Sequence, residues 1–295
     1  MDTTNNPTQQ EDVVVHPWYP WIVFVQSFKY CANPPNTHIF VQCTGALISE
    51  NYVITAAYCV RWNLLKLSKC LGKNDTNILG LQFTQPDELF VRAGSSEVNR
   101  ANRMGVSKIS VPELFEFTQP EPRRFDIALI RLKTRLQRQE YGIPPICLSR
   151  ALNSLEGQMA TTVGWELKDY LMPNTLSVHS LSEERVPILA RSHCPRMLQL
   201  PDDEYNQFNT FVCAGKTNRS VISGIYGNPM QIKRNGRFYL VGLSSSSFIK
   251  PHETSDIYAN VSSYCGFISA VTRSEVRCLD EEHNDGQDID PKCGI

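Results

Sequence analysis

Ten cysteines and six histidines are the residues of this 295-residue chain with the plainest capacity for chemistry. The cysteines are even in number and spread along the chain, and none forms a Cys-x-x-Cys pair. That spacing argues against zinc ribbons and thiol-redox motifs. It fits disulfides formed in an oxidising compartment. Three Asn-x-Ser/Thr triplets, at Asn74, Asn218 and Asn260, point the same way as candidate glycan acceptors. Acidic residues crowd the end of the chain, at Asp280, Glu281, Glu282, Asp285, Asp288 and Asp290. Their spacing does not match a calcium loop. No metal and no cofactor is implied, and the acidic stretch reads as a solvated tail.

The elements that must position any site are short. Apolar runs at Trp21–Val25, Ala46–Ile48, Tyr52–Thr55, Leu89–Arg92, Ile127–Leu132, Thr161–Trp165, Phe238–Leu243 and Ile257–Val261 are separated by turn clusters. They are β-branched or aromatic and sit at barrel-like intervals. Three- and four-residue spacing appears at Tyr264, Phe267, Ile268 and Val271, which predicts one amphipathic helix near the end. The chain is 41% apolar with a formal net charge of −1, so neither nucleic acid nor a membrane surface is indicated as a partner. No stretch approaches the ~20 apolar residues of a membrane-spanning helix. The segment 1–16 is polar and reads as a linker, without the apolar core of a signal peptide.

Four segments in order resemble the trypsin/chymotrypsin-like serine peptidases (peptidase S1). They are Cys43-Thr44-Gly45-Ala46-Leu47-Ile48, Val53-Ile54-Thr55-Ala56-Ala57-Tyr58-Cys59, Asp126-Ile127-Ala128-Leu129-Ile130 and Gly224-Ile225-Tyr226-Gly227-Asn228-Pro229. Pro145-Ile146-Cys147-Leu148, Val163-Gly164-Trp165 and Tyr258–Tyr264 fill the gaps. The resemblance implies an all-β fold of two packed six-stranded Greek-key barrels with a C-terminal helix. It places a peptidase-like domain over 17–276, with one barrel over about 17–140 and the other over about 141–276, followed by a Cys-containing tail at 277–295. It pairs Cys43 with Cys59 and Cys194 with Cys213, and sets Cys31 beside Cys70. Cys147, Cys265, Cys278 and Cys293 stay open to three connectivities. In this family the position of Cys147 often tethers a second chain.

The resemblance also says what chemistry the family needs and what this chain holds instead. A serine attacks the carbonyl, a histidine carries its proton, and an aspartate orients the histidine. The aspartate position is Asp126, but the histidine position is Tyr58 and the serine position is Tyr226. A phenol with an ordinary pKa of ~10 is a poor base near neutral pH. No base stands beside Tyr226 in the motif to activate it. The remaining histidines, at 16, 38, 179, 193, 252 and 283, lie outside the motif and read as loop or surface residues. Without a histidine, Asp126 reads as a structural acceptor for local donors, the Tyr58 hydroxyl among the candidates.

Other parts of the family's site are altered too. The acid that pairs with a freed N-terminus is replaced by Ile225, and Glu11–Pro17 lacks the activation sequence. Gly224 holds one oxyanion position, which a turn requirement alone explains. Ser220 stands at the pocket base, and Ser245 and Ser247 stand along the strand that would receive substrate. The pattern points to a secreted, non-catalytic serine protease homologue. Such a protein binds extracellular proteins, among them active serine peptidases or their substrates, as a cofactor or decoy in a cascade such as innate immunity. The long insertion between Cys59 and Phe90 is the leading candidate for the binding loop. Two other readings compete: a serine-type endopeptidase with residual or rearranged activity, and the degenerate structural half of a tandem peptidase.

Overall fold

The computed structural model describes residues 19–32, 34–72, 82–115, 125–137, 142–150, 155–167, 178–190, 192, 209–215, 226–250, 253–280 and 293. Six strands form a closed barrel: β1 (Ile22–Tyr30), β2 (His38–Leu47), β3 (Tyr52–Thr55), β4 (Leu89–Ala93), β5 (Asn102–Ser110) and β6 (Ala128–Leu132). Their order is β1-β2-β3-β6-β5-β4, a Greek-key arrangement in which β4 returns to pair with β1. Six more strands make the second unit: β7 (Met159–Leu167), β8 (Val178–Pro187), β9 (Phe211–Ala214), β10 (Pro229–Arg234), β11 (Arg237–Lys250) and β12 (Glu253–Asn260). Their order is β8-β7-β10-β11-β12-β9. This sheet is more open than the first. It curls until Ile188, just past β8, bridges Ala214 of β9.

Side-chain alternation explains which face each strand buries. Along β4, Leu89, Val91 and Ala93 point into the barrel, while Phe90 and Arg92 point outward. Along β1, Ile22 to Val25 are buried on both faces. The reason is that the outer face of β1 meets the second sheet: Phe24 packs edge-on against Trp165 with ring centroids 5.7 Å apart. The Trp165 indole N–H donates to the Ser96 carbonyl at 2.9 Å, and the Trp21 indole N–H donates to Gln231 Oε1 at 2.8 Å. Large apolar rings thus join the two units while their polar tips stay satisfied.

The expected terminal helix is α2 (Cys265–Val271), entered through a 3-10 turn at Val261–Tyr264. A second helix, α1 (Leu64–Leu71), lies in the insertion after Cys59, where no helix was expected. Asn63 caps it by accepting the Leu65 and Lys66 N–H groups at 3.0 and 3.1 Å. Leu64, Leu67 and Leu71 recur at helical spacing, and Leu67 and Cys70 are buried, so the eight-residue segment carried a helical signal that its shortness obscured.

Among the described residues the disulfides are Cys31–Cys70, Cys43–Cys59, Cys147–Cys293 and Cys265–Cys278. Cys213 is also bridged, while its expected partner Cys194 lies outside the described residues. Cys147 therefore closes onto this chain and does not tether a second one. The reading of a solvated tail is corrected in part. Cys278 and Cys293 are buried and bridged, and Leu279 pairs with Ser149. Two covalent ties and a β-bridge hold what charge alone would leave in water.

The Cys147–Cys293 bridge spans 146 residues of sequence. Closing so long a loop restricts the unfolded chain, so replacing both cysteines by serine should cost about 2–5 kcal/mol. Chemical denaturation of the double variant checks this. Non-reducing peptide mapping that pairs Cys147 with any residue but Cys293 would contradict the connectivity.

Candidate functional site

The site is built where three chain corners meet. Tyr58 lies in a 3-10 turn at Ala57–Val60, just after β3. Asp126 immediately precedes the run into β6, and Tyr226 immediately precedes the run into β10. Asp126 is 1% exposed. Its Oδ1 accepts the backbone N–H of Tyr58 at 2.8 Å, and its Oδ2 accepts the Ser245 hydroxyl at 2.6 Å. A buried carboxylate is tolerated only with such donors. The main-chain N–H of position 58 is therefore one of the local donors that Asp126 accepts from.

Tyr226 is fixed by its backbone. Its carbonyl accepts the Thr44 N–H at 3.0 Å, and the next N–H, from Gly227, donates to the Ser244 carbonyl at 2.8 Å. With both backbones pinned, the side chains of positions 58 and 226 project into the same space. Their rings meet with centroids 4.3 Å apart and planes tilted by 56°. Both tyrosines are partly buried against the main core. Two aromatic rings in contact therefore lie beside the buried carboxylate.

Gly227 is required by this geometry. Its φ is +77°, and a Cβ there would lie 2.3 Å from the Thr44 carbonyl oxygen and 2.4 Å from Thr55 Oγ1. The Thr55 hydroxyl is committed to that same carbonyl at 2.7 Å. The sequence shows a glycine in a motif; the structure shows that it lets the segment after Tyr226 lie flat on β2 and β3.

Ser245 had been placed along a substrate strand. It lies on β11, fully buried, and its hydroxyl donates to Asp126. A bulge in the β11–β12 register between Ser244 and Ser246 turns it inward. Nothing in a run of four serines distinguishes that one beforehand. Ser247 sits on β11 opposite Asp256. Gly224, Ile225, Ser220, Asn74 and Asn218 lie outside the described residues. Asn260 is 7% exposed, its amide nitrogen donates to the Asn209 carbonyl at 2.9 Å, and its Oδ1 accepts Ser262. This corrects the expectation of a glycan at Asn260, because the nitrogen a glycan would bond is inside the fold and occupied.

Tyr264 adds a further constraint around Asp126. It packs edge-on to Phe125 at 6.4 Å, and its hydroxyl is buried without a hydrogen-bond partner among the described residues. Burial, then the negative charge of Asp126, push its phenol well above the ordinary value. Burial does the same to Tyr258, with a smaller contribution from Asp256. Tyr19 is raised by burial and by its hydrogen bond to Glu183. Among the described residues no group of His, Cys, Asp and Glu could hold a metal.

Two outcomes follow from this geometry. Gly227→Ala should destabilise the fold by more than about 1 kcal/mol from the backbone conformation alone, with the clash added. An unchanged melting temperature would contradict it. The raised phenols favour the fold while neutral. That contribution is whole below the unfolded phenol value of about 10 and is lost as pH climbs from there toward the folded values. Stability should therefore fall above about pH 10, with Tyr19, Tyr258 and Tyr264 ionising only on unfolding. Spectroscopic titration showing every tyrosine ionising near pH 10 in folded protein would contradict this.

Comparison with known proteins gives the family. The model of the Trypsin family matches residues 8–268. The chain is 28% identical over 234 residues to serine protease filzig of Drosophila melanogaster, covering 77% of this chain and 12% of that protein. Serine proteinase stubble, also of Drosophila melanogaster, is 28% identical over 77% of this chain and 26% of its own length. The chain thus spans only a small part of these two relatives. The venom peptide isomerase heavy chain of Agelenopsis aperta is 25% identical, over 85% of this chain and 94% of its own. Among solved structures, the scabies mite inactivated protease paralogue S-D1 superposes with a TM-score of 0.59 at 20% identity, covering 88% of this chain and 95% of its own. That likeness supports the two-barrel fold. By the match over most of its length, the chain belongs to the trypsin family.

Proposed function

We propose that this protein is a non-catalytic serine protease homologue that works outside the cell as a binding or regulatory protein. The observation that carries the reading is the contact between the Tyr58 and Tyr226 rings beside Asp126. Peptide hydrolysis in this family needs a small hydroxyl nucleophile and a base that exchanges protons near neutral pH. Two phenol rings stand where those groups belong, packed on each other in the space a scissile carbonyl would need. In subtilisin, which uses the same chemistry, loss of serine or histidine alone lowers turnover about a million-fold. Asp126 has been absorbed into the scaffold as an acceptor for Tyr58 and Ser245. The solved relative described as inactivated has the same fold, which is compatible with a trypsin-like scaffold kept without its chemistry.

The disulfides support work in an oxidising, extracellular setting. Loops on a rigid barrel present binding surface for partners, which on this reading are extracellular proteins such as active serine peptidases or their substrates. The internal bridges of Cys147, Cys265, Cys278 and Cys293 count against the half-of-a-tandem reading, since none of these cysteines is left to reach another domain.

Incubation of the purified protein with a diverse peptide library tests the proposal. The expected result is no cleavage, and sustained cleavage removed by a Tyr58→Phe change would contradict it. The paired reversion Tyr58→His with Tyr226→Ser should remain inactive, because Ile225 replaces the acid that would organise the oxyanion site. Peptidase activity in that double variant would show that only two side chains separate this chain from an enzyme.

A further inference from the structure

We propose that the outer face of the first barrel, centred on Phe90 between Arg92 and Arg103, docks an extended acidic peptide segment that carries apolar side chains beside its carboxylates. This deepens the binding role proposed above by naming a surface and a partner chemistry.

The strand register puts the face together. Arg92 on β4 lies directly opposite Arg103 on β5, and Phe90 opposite Gly105. Gln26 on β1 is opposite both Phe90 and Gln42. Two residues further along β1, Phe28 is opposite Phe40, and two further again Tyr30 is opposite His38. Because side chains alternate, these residues share one face of the sheet. The rings are in contact: Phe28 lies 4.8 Å from Tyr30 and 4.8 Å from His38. Tyr30 is 78% exposed.

The charges on this face are unbalanced. The Arg103 guanidinium sits 4.1 Å from the centre of the Phe90 ring and that of Arg92 sits 5.5 Å from it. Two like charges directly opposite across a ladder repel. Neither is paired with an acid among the described residues; the nearby Glu97 is spent on Arg100 at 2.9 Å. Burial, then the charge of Arg103, hold Arg92 below the ordinary arginine value. Arg92 is also anchored, since its Nη1 donates to the carbonyls of Val98 and Ala101 at 3.5 Å. The result is two positioned forks suited to a carboxylate around Phe90, with the buried Gln26 between them and the rings of Phe28, Tyr30 and His38.

Length and polarity choose the occupant. From Arg92, which is level with Phe24, to Tyr30 is six residues of strand, or ~20 Å. That span matches about six residues of an extended peptide. A sulfated sugar would satisfy the arginines and make little use of the rings. A peptide alternating acidic and apolar side chains uses both.

Fluorescence anisotropy with a labelled peptide of roughly twelve residues, alternating Glu with Phe or Ile, tests this. A heparin-derived octasaccharide serves as the comparison probe. Saturable binding of the peptide is expected, weakening with added salt. Arg103→Glu should lower the affinity about tenfold or more, and Arg103→Lys by less. Tyr30→Ala, at an exposed position that the fold does not need, should lower it about threefold. The proposal is overturned if the wild-type protein does not bind the peptide, if Arg103→Glu leaves the affinity unchanged, or if only the octasaccharide binds. Detected peptidase activity would sink the non-catalytic reading and leave this measurement standing, so the two failures are distinguishable.

Discussion

The buried carboxylate of Asp126 is the point on which the rest of the site depends. One oxygen takes the Tyr58 main-chain N–H from the corner after β3, and the other takes the Ser245 hydroxyl from β11. The first donor belongs to the closed barrel and the second to the open sheet. A charge this deeply buried is tolerable only with hydrogen-bond donors around it, and these two bonds supply such donors from both halves of the fold. These bonds give the aspartate a structural role that needs no histidine beside it. Its role is to register two halves of the molecule against each other. Gly227 and Thr55 do comparable work on the other side of the cleft, letting Tyr226 sit against β2.

With the corners held in this way, the ring pair is a consequence of position. Backbone bonds fix where the side chains of residues 58 and 226 emerge, and two phenols emerging there must touch. Contact between rings of this kind contributes about 0.5–1.5 kcal/mol beyond burial. Two rings packed at 4.3 Å leave little open space between positions 58 and 226. On the proposed reading, the scaffold is kept for what its outer surfaces recognise.

Much of the architecture was legible in the sequence because it rests on short-range pattern. The eight apolar runs fall within, or within one residue of, strands, and Tyr264 to Val271 falls in the terminal 3-10 turn and α2. What escaped had physical causes. β5 buries only Met104 and Val106 fully and shows mostly polar residues to water, so its apolar signal is thin. α1 is only eight residues long, so the apolar spacing of Leu64, Leu67 and Leu71 is a short signal, completed by a cap and a disulfide. The pairing of the last four cysteines depends on where the tail runs, which no local pattern encodes. At the site, the positions of Tyr58, Asp126 and Tyr226 could be read from motifs, while the inward turn of Ser245 comes from a bulge and the occupied amide of Asn260 from tertiary contacts. The pairing of Arg92 with Arg103 had a faint signal in the alternation Phe90-Val91-Arg92, but only the register of β4 on β5 joins the two charges.

On the proposed reading, the cleft holds no activated nucleophile. Treatment of the folded protein with a fluorophosphonate, followed by intact mass measurement, is the sharpest test, since that reagent bonds rapidly to a hydroxyl made reactive by its surroundings. An unshifted mass after prolonged exposure is expected. A stoichiometric adduct formed by the folded protein and absent after denaturation would contradict it.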